Sequence, residues 1–396
     1  MALIRILLES EALADIASLH ALWSQPSTLI FVSDKSGVRA DWLKRAVSRL
    51  TPAFGEECFA LLTSGSTGAP KLIIGNKRRS ESLARVLNEL QDGEPIVEAV
   101  CTLPLSYSYA FINQWLWSHV HGRKLRLTRG FSELDTLRVA LETAESAVLC
   151  LVGSQVPLIR RYFPELVFPG IIRLHFAGGR FPQEHLAFLR ERFPNAQIYN
   201  NYGCAEAMPR LTIRRAEDAS EAANIGRPLP GVELRSGEDK KLYFRSPYRA
   251  VAYIDDQGFH EVADEDWMPT GDLGEQLPDG SWRLLGRANE VFKRFGEKIS
   301  LPQLLTTVKA AWSGDAAFYQ EVDPAGEQAC VLVLSPEPDP QQLRGILMTF
   351  RKHHTRPHWP LRIESLAELP LLPNGKPDIM GLKDAKQKQL HWRQRI

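Results

Sequence analysis

The chain has 396 residues, about twice the length of an ordinary domain, so two or three packed units are expected. Apolar residues make up 44% and charged residues 24%, which is the composition of a folded globular protein and excludes a disordered one. Lysine and arginine (48) nearly balance aspartate and glutamate (47), so the net charge of +1 gives no electrostatic basis for binding nucleic acid.

The N-terminus and the cysteines bear on where the protein works. Glu9, Glu11 and Asp15 interrupt the opening apolar run before it reaches the length of a signal peptide or a membrane span. The five cysteines are an odd set without a C-x-x-C pair, which indicates a reducing compartment. We therefore expect a cytoplasmic protein with no membrane insertion.

Residues 63–71 read Thr-Ser-Gly-Ser-Thr-Gly-Ala-Pro-Lys and follow an apolar run of strand length at residues 59–62. A loop so rich in glycine, hydroxyl groups and backbone N–H donors can wrap a polyphosphate. It is not a Walker loop, because Leu72 replaces the serine or threonine that should follow the lysine. A plain surface turn between strands is the alternative. The basic run Lys77-Arg78-Arg79 is predicted to be a solvated surface, with phosphate contact as the alternative.

Between residues 147 and 203, apolar runs alternate with a helical pattern. The runs of strand length are residues 147–153, 171–179 and 197–202. Residues 182–194 have an amphipathic helical pattern, and the order strand, helix, strand is typical of a parallel sheet covered by helices. Ligands bind such sheets at the carboxyl ends of the strands, where Gly178, Gly179 and Gly203 lie.

A different organisation begins near Leu242. Residues 242–245 and 282–285 have the pattern of short antiparallel strands, and Asp279-Gly280 is a strong turn signal before the second. A compact α+β unit then follows, with these predicted elements: helix 302–311, strand 329–334, helix 341–351 and strand 361–365. We therefore predict a large domain over residues 1–286 and a smaller one over residues 287–396.

Taken in order, these motifs resemble those of the adenylate-forming superfamily, which includes acyl-CoA synthetases, peptide-synthetase adenylation domains and luciferases. Residues 63–71 resemble its phosphate loop. Further segments resemble the later motifs in the family's order: residues 201–206, 225–231, 270–272, 286–289, 293–299 and 369–376. The resemblance covers nearly the whole chain from Phe59 onward.

The resemblance implies catalytic roles for four residues. Lys376 resembles the catalytic lysine of the C-terminal loop, and Glu206 resembles the glutamate that helps hold Mg²⁺. Thr67 and Lys71 belong to the phosphate loop.

The resemblance also implies a nucleotide-binding set. The ring of Tyr202 would pack on adenine, Asp272 would bind the ribose hydroxyls, and Arg287 would lie near the ribose and phosphate. The remaining expected nucleotide-binding residues are Thr63, Ser64, Gly65, Ser66, Gly68, Gly178, Gly179, Asn201 and Gly203.

The resemblance further implies a fold and a reaction. The fold is an α/β N-terminal domain, with mostly parallel sheets covered by helices and a small antiparallel part, followed by a mobile α+β lid. The reaction uses ATP and Mg²⁺ to activate a carboxylic acid as acyl-AMP, and then transfers the acyl group to the thiol of CoA or of a carrier protein's phosphopantetheine. That first step gathers negative charge, so it needs cations and a donor-lined loop. An aryl or short acyl acid of a biosynthetic pathway is the expected substrate.

Three departures from the family pattern leave alternatives open. Ala205 replaces the usual threonine, Asn289 replaces the usual aspartate, and only 62 residues precede Thr63, so the N-terminal subdomain is expected to be shortened. Residues 103–111 resemble a segment beside the acyl pocket, with a core strand and turn as the alternative. Transfer of the acyl group to an amine, or a degenerate nucleotide- or acyl-binding protein, remain alternatives for the function.

Overall fold

The computed structural model describes residues 4–34, 40–50, 57–64, 70–90, 96–179, 181–371 and 377–394. It divides into two compact units. The first comprises Met1–Thr270 and Gly274–Leu285, and the second comprises Gly271–Leu273 and Gly286–Ile396. The roles predicted for the two domains, and the mobility of the second, stay predictions.

The strands that begin before residue 286 supply two sheets. They are β1 (Ile4–Leu8), β2 (Thr28–Val32), β3 (Cys58–Ser64), β4 (Pro70–Asn76), β5 (Glu98–Cys101), β6 (Lys124–Leu127), β7 (Ala147–Val152), β8 (Ile171–Ala177), β9 (Gln197–Tyr202), β10 (Thr212–Arg215), β11 (Asn224–Pro228), β12 (Glu233–Ser236), β13 (Lys241–Arg245), β14 (Ala252–Ile254), β15 (Phe259–Glu261), β16 (Met268–Gln276) and β17 (Trp282–Arg287). Within the described ranges, the larger sheet has the order β12-β13-β16-β17-β11-β10-β9-β8-β7-β5-β6. The smaller sheet has the order β1-β2-β3-β4-β14-β15.

Helices cover both faces of the parallel part of the larger sheet, where β9, β8, β7, β5 and β6 pair in parallel. The helices of the first unit are α1 (Glu9–Ala14), α2 (Ile16–Ser24), α3 (Ala40–Ser48), α4 (Lys77–Glu89), α5 (Ser108–Ala110), α6 (Trp117–Val120), α7 (Leu134–Glu142), α8 (Val156–Tyr162) and α9 (Leu186–Arg192). Leu149 and Leu151 of β7 share a core with α7, α8 and α9, whereas Val148 packs with Trp117 of α6 on the other face. Because both faces are buried, the strand is a continuous apolar run rather than an alternating one.

The second unit is a compact α+β structure. Its strands and helices after residue 287 are β18 (Val291–Arg294), β19 (Glu297–Ser300), β20 (Asp315–Val322), β21 (Gln328–Ser335), β22 (Arg362–Ser365), β23 (Gln389–Arg393), α10 (Leu301–Lys309), α11 (Pro340–His353) and α12 (Ile379–Asp384). Strands β20 to β23 form one sheet in chain order, and α10 and α11 pack on a core that contains Leu332 and Ile363. Helix α11 begins with a reciprocal cap: Asp339 accepts from the backbone N–H of Gln342, whose side chain accepts from the backbone N–H of Asp339.

The predicted α/β class with a smaller α+β part is confirmed, and two local predictions are wrong. The strand alternative for residues 103–111 fails, because the chain turns after Leu105 and is helical from Ser108, through a π-helical turn at Phe111–Leu116. Lys77 is not solvated. It is only 6% exposed, and its ammonium group donates to the backbone carbonyls of residues 23, 25 and 27.

In the part of the chain that the structure describes, no helix is both long enough and apolar enough to span a membrane.

Candidate active site

Strands β3 and β4 form a hairpin that brings the two ends of the predicted phosphate loop together. Thr63 pairs with Lys71 across the hairpin, Ser64 pairs with Pro70, and Thr63 Oγ1 donates to the Lys71 carbonyl over 3.4 Å. The loop between the strands contains Gly65, Ser66, Thr67 and Gly68, and these four predicted residues lie outside the described ranges. The hairpin therefore fixes where the loop begins and ends.

The Lys71 side chain lies between a carboxylate and an aromatic ring. Its Nζ is 2.8 Å from Glu206 Oε1 and 3.8 Å from the centroid of the Tyr253 ring. Glu206 lies in a short 3-10 turn, Ala205–Ala207, directly after β9, and its backbone carbonyl accepts from the Ala250 N–H. The structure thus brings together two predicted catalytic residues, one on a strand of the smaller sheet and one in the turn after a strand of the larger sheet. Tyr253 has no signal in the sequence that would have placed it there.

The Glu206 carboxylate is suited to Mg²⁺. Its side chain is 23% exposed, and a carboxylate oxygen is the kind of ligand that Mg²⁺ takes. The described residues gather no group of three or more histidine, cysteine or acidic side chains that could hold a metal by themselves. An ion at Glu206 would therefore take its other ligands from phosphate oxygens and water, which is the usual way in which proteins bind magnesium.

The predicted glycines lie at the carboxyl ends of β8 and β9. Gly178 has a φ of +73°, which favours glycine, and it is followed by Gly179. Gly203 is required by the fold itself, because a Cβ there would lie 1.7 Å from the Pro209 carbonyl oxygen. The chain's own close approach therefore explains Gly203, whatever binds nearby.

Asn201 and Tyr202 are both in the interior of the first unit. Tyr202 is 8% exposed and belongs to the main core cluster, and its contact with adenine stays a prediction. Asn201 is 3% exposed; its Nδ2 lies 3.0 Å from His175 Nδ1 and 3.4 Å from the Tyr109 hydroxyl. These contacts of Asn201 are therefore with other side chains of the interior.

The second unit holds the other predicted residues. Arg287 Nε lies 3.0 Å from Asp272 Oδ1, and the side chains are 42% and 7% exposed, respectively. The guanidinium thus neutralises the carboxylate that is predicted to bind the ribose. Lys376 lies outside the described residues.

Comparisons with known proteins agree with the predicted family. The family model described as AMP-binding enzyme matches residues 6–243. Tyrocidine synthase 3 of Brevibacillus parabrevis is 25% identical over 352 residues, which cover 82% of this chain and 5% of that protein. The chain spans only 5% to 6% of the length of the first curated relatives that it matches.

Solved structures share the fold. The O-succinylbenzoate coenzyme A synthetase MenE from Bacillus subtilis, in complex with AMP, superposes with a TM-score of 0.75 at 17% identity, covering 98% of this chain and 89% of that one. The amide bond synthetase McbA from Marinactinospora thermotolerans gives a TM-score of 0.68 at 20% identity, covering 96% and 79%. At these identities the likeness establishes the fold.

Proposed function

The chain belongs to the AMP-binding enzyme family, and on that premise we propose that it activates a carboxylic acid with ATP and passes the acyl group to a thiol. The observation that carries this proposal is the Lys71–Glu206 pair, which lies at the loop end of the hairpin whose loop carries the family's phosphate motif. The pair supplies both a cation for phosphate oxygens and a carboxylate for a metal ion.

In the first half-reaction, a carboxylate oxygen of the acid attacks the α-phosphorus of ATP. A new oxygen–phosphorus bond forms, the bond to the β-phosphate oxygen breaks, and the electron pair leaves with pyrophosphate. No base is needed, because the nucleophile is already ionised. Lys71 is suited to neutralise phosphate charge in this step, and a Mg²⁺ ion on Glu206 would supply further positive charge.

In the second half-reaction, a thiolate attacks the acyl carbon and AMP leaves with the electron pair of the broken bond. We propose the thiol of CoA or of phosphopantetheine on a carrier protein, and an aryl or short acyl acid. An amine acceptor is the second candidate, since the amide bond synthetase McbA has the same fold at a TM-score of 0.68.

The proposal is tested by acid-dependent exchange between ATP and labelled pyrophosphate with a panel of aryl and short acyl acids. We expect exchange with a subset of the acids, and strongly reduced exchange in Glu206→Gln. Glu233→Gln is a matched control, because Glu233 is an exposed glutamate on β12. ATP binding without exchange for any acid would overturn the proposal and favour the degenerate binding protein. Mass spectrometry of reactions with CoA, a phosphopantetheinylated carrier protein or an amine then identifies the acceptor.

A further inference from the structure

A small cavity lined by both polar and apolar side chains lies inside the first unit, beside β7 and β8. Its volume is about 10 Å³, and its lining includes Asn113, Cys150, His175 and Arg210. A cavity of about this volume holds one water molecule, or one oxygen atom of a ligand. The size of the cavity and the polar groups in its lining therefore suit a single oxygen.

Arg210 is an unusual buried cation. It is 1% exposed, and Nη1 donates to Asn113 Oδ1 over 2.9 Å, whereas Nε and Nη2 have no hydrogen-bond partner among the described residues. Burial lowers the pKa of its guanidinium to about 10, so the group remains charged at neutral pH. No described carboxylate forms an ion pair with it. A buried charge in this state is costly unless something pairs with it.

Arg214 shows what an arginine with a purely structural role looks like in this fold. It is 4% exposed, and its guanidinium donates to the backbone carbonyls of Asn224, Arg215 and Glu221, among others. Its donors are thus used by the chain's own backbone. Arg210 lies only four residues earlier, and two of its nitrogen atoms, Nε and Nη2, have no hydrogen-bond partner among the described residues.

His175 adds a second donor beside the same cavity. Asn201 Nδ2 lies 3.0 Å from His175 Nδ1. Because an amide N–H can only donate, we assign the ring proton of the neutral histidine to Nε2. Burial, followed by the charge of Arg210, lowers the pKa of His175 well below its ordinary value, which keeps the ring neutral. Nε2 is buried and has no hydrogen-bond partner among the described residues.

His175, which lines the cavity, also lies near the carboxyl end of β8. His175 and Ala177 lie on the same face of β8, because side chains alternate along a strand, and Gly178 follows at the carboxyl end. His175 is thus only about 7 Å of strand from the last residue of β8. His175 is therefore close to the end of the sheet at which ligands of such folds bind.

We propose that the cavity binds an oxygen atom at the end of the acid away from its reacting carboxylate, so that the enzyme selects acids with a distal phenol, hydroxyl or carboxylate oxygen. This inference rests on the proposed function. The oxygen accepts hydrogen bonds from Arg210 and His175, and a site built to donate such bonds discriminates strongly against a substrate that lacks the acceptor. An anionic oxygen also supplies the missing counter-charge.

The test compares matched acids by pyrophosphate exchange: benzoate with para-hydroxybenzoate, cinnamate with para-coumarate, and hexanoate with adipate. In the wild-type enzyme we expect the oxygen-bearing member of at least one pair to be preferred by about a hundredfold or more in kcat/KM. Arg210→Met should remove most of that preference and His175→Phe part of it. Arg214→Met, the matched buried arginine, should keep the preference even if it lowers the stability.

The comparison in the wild-type enzyme does not depend on the folding of any variant. Exchange at equal efficiency for both members of every pair would overturn this inference alone and leave the proposed function standing. An unchanged preference in a folded Arg210→Met variant would likewise overturn it. Exchange with no acid would contradict the proposed function, and the inference would fall with it.

Discussion

Lys71 Nζ and Glu206 Oε1 lie 2.8 Å apart, although the two residues are separated by 135 positions in the chain. The ion pair joins the smaller sheet to the turn after β9 of the larger one. In the ion pair, the charge of each side chain neutralises the charge of the other. Phosphate binding to the lysine, or metal binding to the glutamate, therefore competes with the pair itself.

Lys71→Met should separate these two roles. We expect the KM for ATP to rise by about tenfold or more, because a charge-assisted bond to phosphate is lost. The Mg²⁺ concentration for half-maximal exchange should fall, since Glu206 no longer shares its charge with a lysine. Pyrophosphate exchange at varied ATP and Mg²⁺ measures both. Lys241→Met is the control, because Lys241 forms an exposed pair with Asp239 over 2.7 Å. If the exchange rate of Lys71→Met depends on ATP and Mg²⁺ as in the wild type, the Lys71–Glu206 pair does not take part in binding either one.

Asp272→Ala should weaken the recognition of ribose. A carboxylate that accepts hydrogen bonds from both ribose hydroxyls discriminates a ribonucleotide, so we expect the preference for ATP over 2′-deoxy-ATP to narrow by about tenfold. Competition kinetics with the two nucleotides measure the ratio. Glu275→Ala, on the same strand β16, is the control and should keep the ratio of the wild type. The same ratio in Asp272→Ala as in the wild type would show that Asp272 does not contact the ribose.

Lys376→Ala should affect the two half-reactions unequally. The loss of one cation at the transferred phosphoryl group costs about a hundredfold in adenylate formation. Transfer from a supplied acyl-adenylate to a thiol should be much less affected, because the phosphate bond is already made. Lys383→Ala, at an exposed lysine of α12, is the matched control for both steps. Equal losses in the two half-reactions would contradict a lysine that acts only in the first.

Of the five strands in the parallel part of the larger sheet, the sequence predicted β7, β8 and β9 but not β5 or β6. Strands β7 and β8 were recognisable because they are mainly apolar runs that are followed by glycine. The predicted strand at residues 147–153 corresponds to Ala147–Val152, and the one at 171–179 to Ile171–Ala177. The motifs also named Lys71 and Glu206, although no pattern of single residues predicts a 2.8 Å contact between distant segments.

The residues that the sequence could not predict act through distant partners. Arg210 contacts Asn113, which is 97 positions away, and neither residue belongs to a motif. Lys77 was predicted to be solvated because it opens a basic run, but its amine satisfies three backbone carbonyls more than 49 positions away. Burial of such groups depends on tertiary packing, which local composition does not encode.

The central claim is that the acid's own oxygen attacks the α-phosphorus of ATP. The most direct test supplies the enzyme with ATP, an acceptor and an accepted acid whose two carboxylate oxygens are labelled with the heavy oxygen isotope. The mass of the released AMP is then measured by mass spectrometry. The account predicts AMP that has gained one heavy oxygen from the acid, because the carboxylate oxygen stays on phosphorus when the acyl group leaves. Unlabelled AMP, or the label in inorganic phosphate with ADP as the nucleotide product, would contradict it.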